Sequence, residues 1–523
     1  MRHLLRMKGI LPVIVLGMTA AWGTAWAGSV QQQAQDQTPD TAQTKPGDAK
    51  PQEKTETHIT PAQAKELFAS VDTIMQFASQ DSKLPIKHEV KRKLTTRAAV
   101  EGYLVDKMKD DKDAKRMERS EIVLKKFGLL DQDFRLEPFL VSLLKEQIAG
   151  YYDNKTKTVN LLDWIEPETQ KPVLAHELTH ALQDQHVNLD KWEDQSSEDI
   201  SRNAAEDLHH VSTDEVDTAR EAVLEGQAMA VFLDYGLAPT GRHLQSSPEL
   251  VDNLTDNMAD DPDSPVLSRA PLLLQESLLF PYRDGLKFEA TLLTDKGQQG
   301  AFAAVLDHPP ATSYEIMNPK AYERGTPVPL LHMPDVHPIL DTQYDPYDIG
   351  VMGELDVQIL SKLFGGDRTA ALLTPAWDGG IYYASQKKDA PDKDSTASIA
   401  LMYLSQWKSP QAAALFVKMY ADELGKKYAN VQRDPDAEEA EGEQAYKTSE
   451  GPVLMVTSGR DVFISESYDL TTARKLQLLM LGAQQGSAGQ QVASSRQLPV
   501  EGLTGSMVHF LAGCGMMKVA LPH

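Results

Sequence analysis

Cysteine is nearly absent from this 523-residue chain: Cys514 stands alone. A single cysteine excludes an internal disulfide, a cysteine-based zinc site and an iron–sulfur cluster. Positive charge is also scarce. Against 76 Asp and Glu there are only 52 Lys and Arg, a net charge of −24. Such a surface repels phosphate, which argues against nucleic acid and anionic lipid as partners. The chain carries no Gly-x-Ser-x-Gly element, no phosphate loop and no dinucleotide fingerprint. It also shows no internal repeat. What remains is ordinary globular material, 41 % hydrophobic and 24 % charged, on a scale that suggests two or three domains.

The N-terminus has the three-part layout of a secretory signal peptide. Arg2, Arg6 and Lys8 precede an apolar run from Gly9 to Gly23, and Ala25-Trp26-Ala27 supplies a small-x-small site before Gly28. The run is too short to span a bilayer comfortably, and no cysteine follows it for lipid attachment. Removing residues 1–27 lowers the net charge to about −27. Export without disulfides points to a bacterial-type periplasmic or extracellular protein held together by packing. The next stretch, to Thr60, has almost no large apolar residues and reads as a linker. Near the other end, the apolar stretch Val500–Leu521 contains His509 and Lys518 and reads as buried core rather than a membrane span.

Between these ends, Thr60-Pro61 opens a helical stretch, an N-cap residue followed by proline in the first turn. Helical spacing recurs through Thr95–Met108, Arg119–Phe127 and Phe139–Ile148. Two β-prone runs across 150–162 flank an Asp-Asn-Lys-Thr turn, which predicts a hairpin. Further helices are predicted over 173–186, 216–235, 272–280, 298–306 and 354–364. The Pro-rich stretch Thr326–Pro346 suggests a domain boundary. Beyond it the pattern predicts strands near 380–384, 398–405, 444–447, 452–457 and 461–466, with helices near 410–425 and 470–482. Gly379-Gly380 reads as a bulge in the first of these strands.

Residues 176–180 read His176-Glu177-Leu178-Thr179-His180. On a helix the two histidines project from one face, one turn apart, and so can share one zinc ion. Zinc lowers the pKa of a bound water, and Glu177 is placed to take its proton. Val173, Leu174, Leu178, Ala181 and Leu182 form an apolar stripe, whereas His176, His180 and Gln183 lie together elsewhere on the helix. Pro172 suits its first turn. The alternative is a pair of ordinary surface histidines on an amphipathic helix.

A third ligand is required. Glu225 is the first candidate, 45 positions after His180 in Ala222-Val223-Leu224-Glu225-Gly226-Gln227-Ala228. Gly226 and Ala228 would let its helix approach the motif helix. Glu221, one turn earlier, is either the ligand instead or an acceptor that orients a histidine. His186 completes the spacing of a metzincin, but the position that should be glycine is Gln183. His209 and His210 rank lower, because adjacent helical residues point apart.

The stretch Ala175–His186, followed by Glu225-Gly226-x-Ala228, resembles zincin metallopeptidases of the gluzincin arrangement. The resemblance implies His176, His180 and Glu225 as zinc ligands and Glu177 as general base. Met229 stands where many gluzincins carry an acid after the third ligand. Three other segments resemble a loosely characterised group of exported bacterial proteins with the same motif: Ala149-Gly150-Tyr151-Tyr152-Asp153, Phe280-Pro281-Tyr282 with Gly285, and His308-Pro309-Pro310-Ala311-Thr312-Ser313-Tyr314. By analogy the 150–162 hairpin would pair with a substrate backbone. Tyr151, Tyr152, Tyr382, His332 and His337 are the candidates for stabilising an oxyanion.

The expectation is an α+β protein: a mostly helical zincin-like catalytic region over 61–345 with a small edge sheet, then an α+β region over 346–523. Its expected activity is zinc-dependent hydrolysis of a peptide or protein substrate, with no membrane span once the signal is removed. The competing reading is an exported binding or envelope-assembly protein whose zincin core is structural or inactive.

Overall fold

The computed structural model describes residues 11–12, 58–108, 111–147, 150–192, 201–255, 258, 264–486 and 490–492. The cleavage site, most of the expected linker, Cys514 and the stretch Val500–Leu521 lie outside the described residues. The protein is α+β, as expected.

Thr60 opens helix α1 (Pro61–Ser82) with a capping box closed by Gln63. Leu67, Val71, Ile74, Met75 and Ala78 then fall on one buried face. Strand β1 (Lys91–Thr95) was not anticipated, because Lys91-Arg92-Lys93 carries no apolar alternation. It pairs parallel with a strand of the predicted hairpin, so backbone bonding rather than side-chain burial recruits it. Three helices follow: α2 (Arg97–Met108), α3 (Asp111–Phe127) and α4 (Leu136–Gln147). The hairpin is present as β2 (Tyr151–Asp153) and β3 (Thr158–Leu162), antiparallel, with Tyr151 opposite Asn160. The two-residue segment Leu11–Pro12, inside the expected leader, pairs with the outer side of β2.

The motif helix α5 (Pro167–Val187) starts six residues before the predicted position. Pro167 takes the N1 place, and Pro172 sits one turn inside rather than in the first turn. Its ring removes only the N–H that would have met the carbonyl of Glu168. Asn188, in the left-handed region at φ 61°, ends the helix. Helix α6 (Val216–Leu237) carries Glu225, and α7 (Leu272–Ala301) runs through Pro281 well past the expected end at 280. Pro281 is tolerated because the long apolar face on either side of it is buried, from Leu273 to Leu293.

Helices α6 and α7 touch backbone to backbone. A Cβ built on Gly226 would lie 2.2 Å from the carbonyl oxygen of Gly285, and one built on Gly285 would lie 2.2 Å from that of Ala222. Gly226 therefore faces α7 and not the motif helix, a correction to the sequence reading. This contact also explains Gly285 in the segment that follows Phe280-Pro281-Tyr282.

The second sheet has seven antiparallel strands. In chain order these are β4 (Tyr344–Val351), β5 (Trp377–Lys387), β6 (Ile399–Trp407), β7 (Gln432–Arg433), β8 (Glu443–Thr448), β9 (Gly451–Ser458) and β10 (Asp461–Glu466). Their spatial order is β4-β5-β6-β10-β9-β8-β7. Helix α8 (Glu354–Leu373) joins β4 to β5, α9 (Pro410–Lys427) follows β6, and α10 (Leu470–Gly486) follows β10. The bulge expected at Gly379-Gly380 is there, with Gly379 at φ +128°.

Both faces of this sheet are covered, which is why its strands read as continuous apolar runs rather than alternating ones. Tyr382, Leu401, Tyr403, Val453 and Met455 face the helical side. Their neighbours Tyr383, Met402, Leu404, Leu454 and Val456 face a second cluster with Ala473, Leu476 and Met480 of α10. The first cluster extends without interruption from Leu67 to Ile464. Residues on the two sides of 345 thus share one core and do not form two separable ones.

A buried charge network reinforces this union. Lys126 of α3 reaches Glu450 and Ser467 at 2.7 Å each. Glu466 accepts from Lys427 and Tyr420, both at 2.5 Å, and from Tyr428. Burial opposes the Glu466 charge, but Lys427 and Lys126 hold its carboxyl below the usual range. Among the described residues no helix is long and apolar enough to cross a membrane.

Gly285→Ala should push α6 and α7 apart and destabilise the fold by about 1–3 kcal/mol in denaturant titrations. Gly236→Ala, on α6 with nothing within 4 Å of the new Cβ, should be neutral or stabilising by up to ~1 kcal/mol. Equal effects of the two would show that the close crossing does not bear on stability.

Candidate metal centre

Helix α5 is buried all round through its centre. His176 and His180 are fully buried, and Glu177 is 1 % exposed. Surface histidines on an amphipathic helix are thereby excluded. Glu225 enters from α6 and is also fully buried. Its Oε2 lies 3.1 Å from His176 Nε2, and its Oε1 lies 3.6 Å from His180 Nε2. One ligand atom from each of these three residues falls within 4.8 Å of the others. Glu221, buried one turn earlier on α6, is outside this group.

The donor set suits a divalent metal ion. Two imidazoles and one carboxylate are the ligands of an open, three-residue site, and all three are removed from water. Imidazole binds metal only when neutral. Burial pushes the His176 imidazolium down to about 4, against the raising effect of Glu225, so the neutral form prevails at pH 7.

The two histidines are held differently. His180 Nδ1 lies 2.8 Å from Gln183 Oε1. The amide of Gln183 donates to the Leu224 carbonyl at 3.0 Å and to Gln227 Oε1 at 2.9 Å. Gln227 in turn donates to the carbonyls of Ala301 and Phe302 at 3.0 and 3.1 Å. Only one assignment satisfies this chain. Two backbone carbonyls demand donors from Gln227, which turns its oxygen to Gln183, which turns its own oxygen to His180. Nδ1 of His180 then carries the proton, and the lone pair of Nε2 points toward Glu225. His176 Nδ1 has no hydrogen-bond partner among the described residues.

Gln183 is thus the positioning residue at the place where a metzincin would carry glycine. The helix does not turn there but continues to Val187. His186 is carried to another face, where it meets Asp307 Oδ1 at 3.0 Å. It is not part of the centre. His210 is buried 3.9 Å from Asp214 and also lies outside the group, as does His209.

The hairpin docks on the motif helix through Asp184, which accepts from the Tyr152 hydroxyl and Lys157 Nζ at 2.7 Å each. Of the oxyanion candidates, Tyr152 is therefore engaged with Asp184. Tyr382 donates to Asp348 at 2.9 Å, and His337 contacts Asp207 at 2.9 Å. Burial pushes the Tyr151 phenol up to about 12, and the His332 backbone is tied to Gln484. None of the five is singled out for the centre. The third resembling segment supports the start of α6: Ser313 donates to Glu215, the residue before Val216.

Sequence reasoning missed the roles of Gln183 and Gln227. Gln183 had a signal, lying three residues after His180 on one helical face. Gln227 had none, because the carbonyls that orient it lie more than 70 residues away at Ala301 and Phe302. Comparison with protein-family models, with curated proteins and with solved structures returned no match.

Glu225→Ala should remove the metal, whereas Glu221→Ala should leave metal content near wild type, read by elemental analysis. The reverse order would move the ligand one turn along α6. Gln183→Ala should weaken metal affinity by about 10–100-fold in competition with a chelator. An unchanged affinity would show that the glutamine relay does not orient His180.

Proposed function

We propose that this chain is an exported zinc-dependent metallohydrolase acting on peptide bonds. The observation that carries the reading is the convergence of His176, His180 and Glu225 to within 4.8 Å, with Glu177 next to the first of them. A zinc ion held by these three residues would supply Lewis acidity, lowering the pKa of a water and polarising a substrate carbonyl. All other steps belong to the chain's own side chains.

Glu177 follows His176 by one residue, about 100° around the helix. Its carboxylate therefore arrives beside the ligand face and not within it, which suits a base better than a ligand. It accepts the proton of the attacking water and then delivers it to the departing amine nitrogen, so the carboxylate is regenerated in one cycle. The Gln183–Gln227 relay fixes the His180 ring before substrate arrives, which lowers the reorganisation needed at the centre. Strand β2, docked on the motif helix through Asp184, would align an extended peptide backbone along its outer side, the side that Leu11–Pro12 of the expected leader occupies in the structure. Export rests on the leader-like sequence, and the peptide substrate rests on the motif and its resemblance.

Glu177→Gln should retain metal and lose hydrolysis by about three orders of magnitude or more on an unfolded-protein substrate. A variant of undiminished activity would sink the mechanism. Chelation followed by zinc should abolish and restore the wild-type rate. Stoichiometric metal without hydrolysis of any peptide would favour the binding-protein reading.

A further inference from the structure

A second cluster of metal-type ligands lies at the C-terminal end of the Glu225 helix. Asp81 occupies the last turn of α1, and Asp234 the last turn of α6. His243 follows the 3₁₀ turn Ala238–Thr240. One ligand atom from each of the three lies within 4.8 Å of the others. They line a cavity of about 270 Å³ that is also bordered by Gln245, Ser246 and Gln298.

The carboxylates are poorly provided for by the protein itself. Asp81 is nine-tenths buried, and Asp234 is 5 % exposed. No Lys or Arg among the described residues lies within ion-pair distance of either, and Lys83 Nζ is turned to the carbonyl of Gln80. Asp234 accepts the Leu244 N–H. Asp81 lines the cavity, and among the described residues no donor from outside the cluster meets it. Burial, then the adjacent Asp234, pushes the Asp81 carboxyl up to about 8. Two buried carboxylates this close require either a shared proton or a cation between them.

The imidazole decides between these. A proton-sharing pair is complete without His243, which then only offsets its remaining charge, whereas a cation takes all three groups as ligands. Two carboxylate oxygens with one imidazole are the donors of a first-row transition cation, while calcium and magnesium favour all-oxygen shells. The cavity leaves room for waters to complete the coordination, each taking about 30 Å³. Asp234 lies nine residues beyond Glu225 on α6, about 14 Å along the axis, so the two clusters do not share an ion.

We propose that Asp81, Asp234 and His243 form a second divalent-cation site, selective for an ion such as zinc or manganese, which pins the end of α1 to the end of the Glu225 helix. It is a structural site, and its ligands come from two helix ends and a loop that side-chain packing alone would leave as a charged seam.

The test uses the full chain carrying His176→Ala and His180→Ala, so that the motif contributes no metal. After equilibration with zinc chloride or manganese chloride and desalting, this chain should retain one equivalent and unfold at a temperature several degrees higher than its chelated form. Adding Asp81→Asn or His243→Ala should abolish both effects. His243 is exposed, so its loss does not threaten the fold. In the chain with an intact motif, the same His243→Ala change should lower metal content from two equivalents to one. No retained metal in the motif-less chain, or retention unchanged by His243→Ala, overturns the proposal. A stability gain from Asp81→Asn independent of added metal also overturns it, in favour of the shared proton.

Discussion

The approach of Gly226 to Gly285 is the constraint on which the centre depends. Glutamate has a short reach, and Glu225 must set one oxygen near each of two histidines on another helix. That requires α6 to be located to within a fraction of an ångström. Backbone-to-backbone contact with α7 does this, because no intervening side chain is left to change rotamer. Beyond a break at Gly297 (φ 66°), the last turn of α7 reaches Gln227. The carbonyls of Ala301 and Phe302 then dictate the amide orientation that ends at His180. Position and protonation state at the centre thus originate in helix packing one layer behind it.

Desolvation is the second theme. The centre gathers two imidazoles and two carboxylates on side chains that are almost entirely buried, which is unfavourable for folding by itself. The stability that allows it comes from elsewhere, from the two-sided burial of the seven-stranded sheet and the long apolar face of α7. That division is typical of functional sites, where local rules of stability are broken and compensated at a distance. In the Glu466 network the same cost is met differently, by full pairing among Lys427, Lys126, Tyr420 and Tyr428.

Much of this was legible in the sequence. Five of the seven strands of the C-terminal sheet, and its helices, fall close to their predicted positions because turn residues bound their apolar runs; Tyr344–Val351 and Gln432–Arg433 were not predicted. The His-Glu-x-x-His helix also follows from spacing, whereas the preference for Glu225 over Glu221 rests on the small residues beyond it and on the gluzincin resemblance. What failed to show has a common cause. Strand β1 is recruited by backbone pairing that Lys91-Arg92-Lys93 does not advertise. Pro172 and Pro281 sit inside helices because surrounding burial outweighs a local penalty. The direction in which Gly226 faces, the relay through Gln227 and the meeting of Asp81 with Asp234 all depend on how helices distant in sequence are stacked. Periodicity reports which face of a helix is apolar, but not which neighbour it meets.

Lys126 makes its contacts with Glu450 and Ser467 across 324 and 341 residues of chain. The order in which the molecule can assemble follows from this. The motif helix and the Glu225 helix are both synthesised long before the strands that complete the shared core. A growing chain therefore presents the ligand-bearing helices before the sheet that shares their core, and contacts of such range form slowly. The α6–α7 crossing and the glutamine relay that set the centre lie within residues 167–302, whereas the buried network that joins the helical part to the sheet closes only with Glu450 and Ser467.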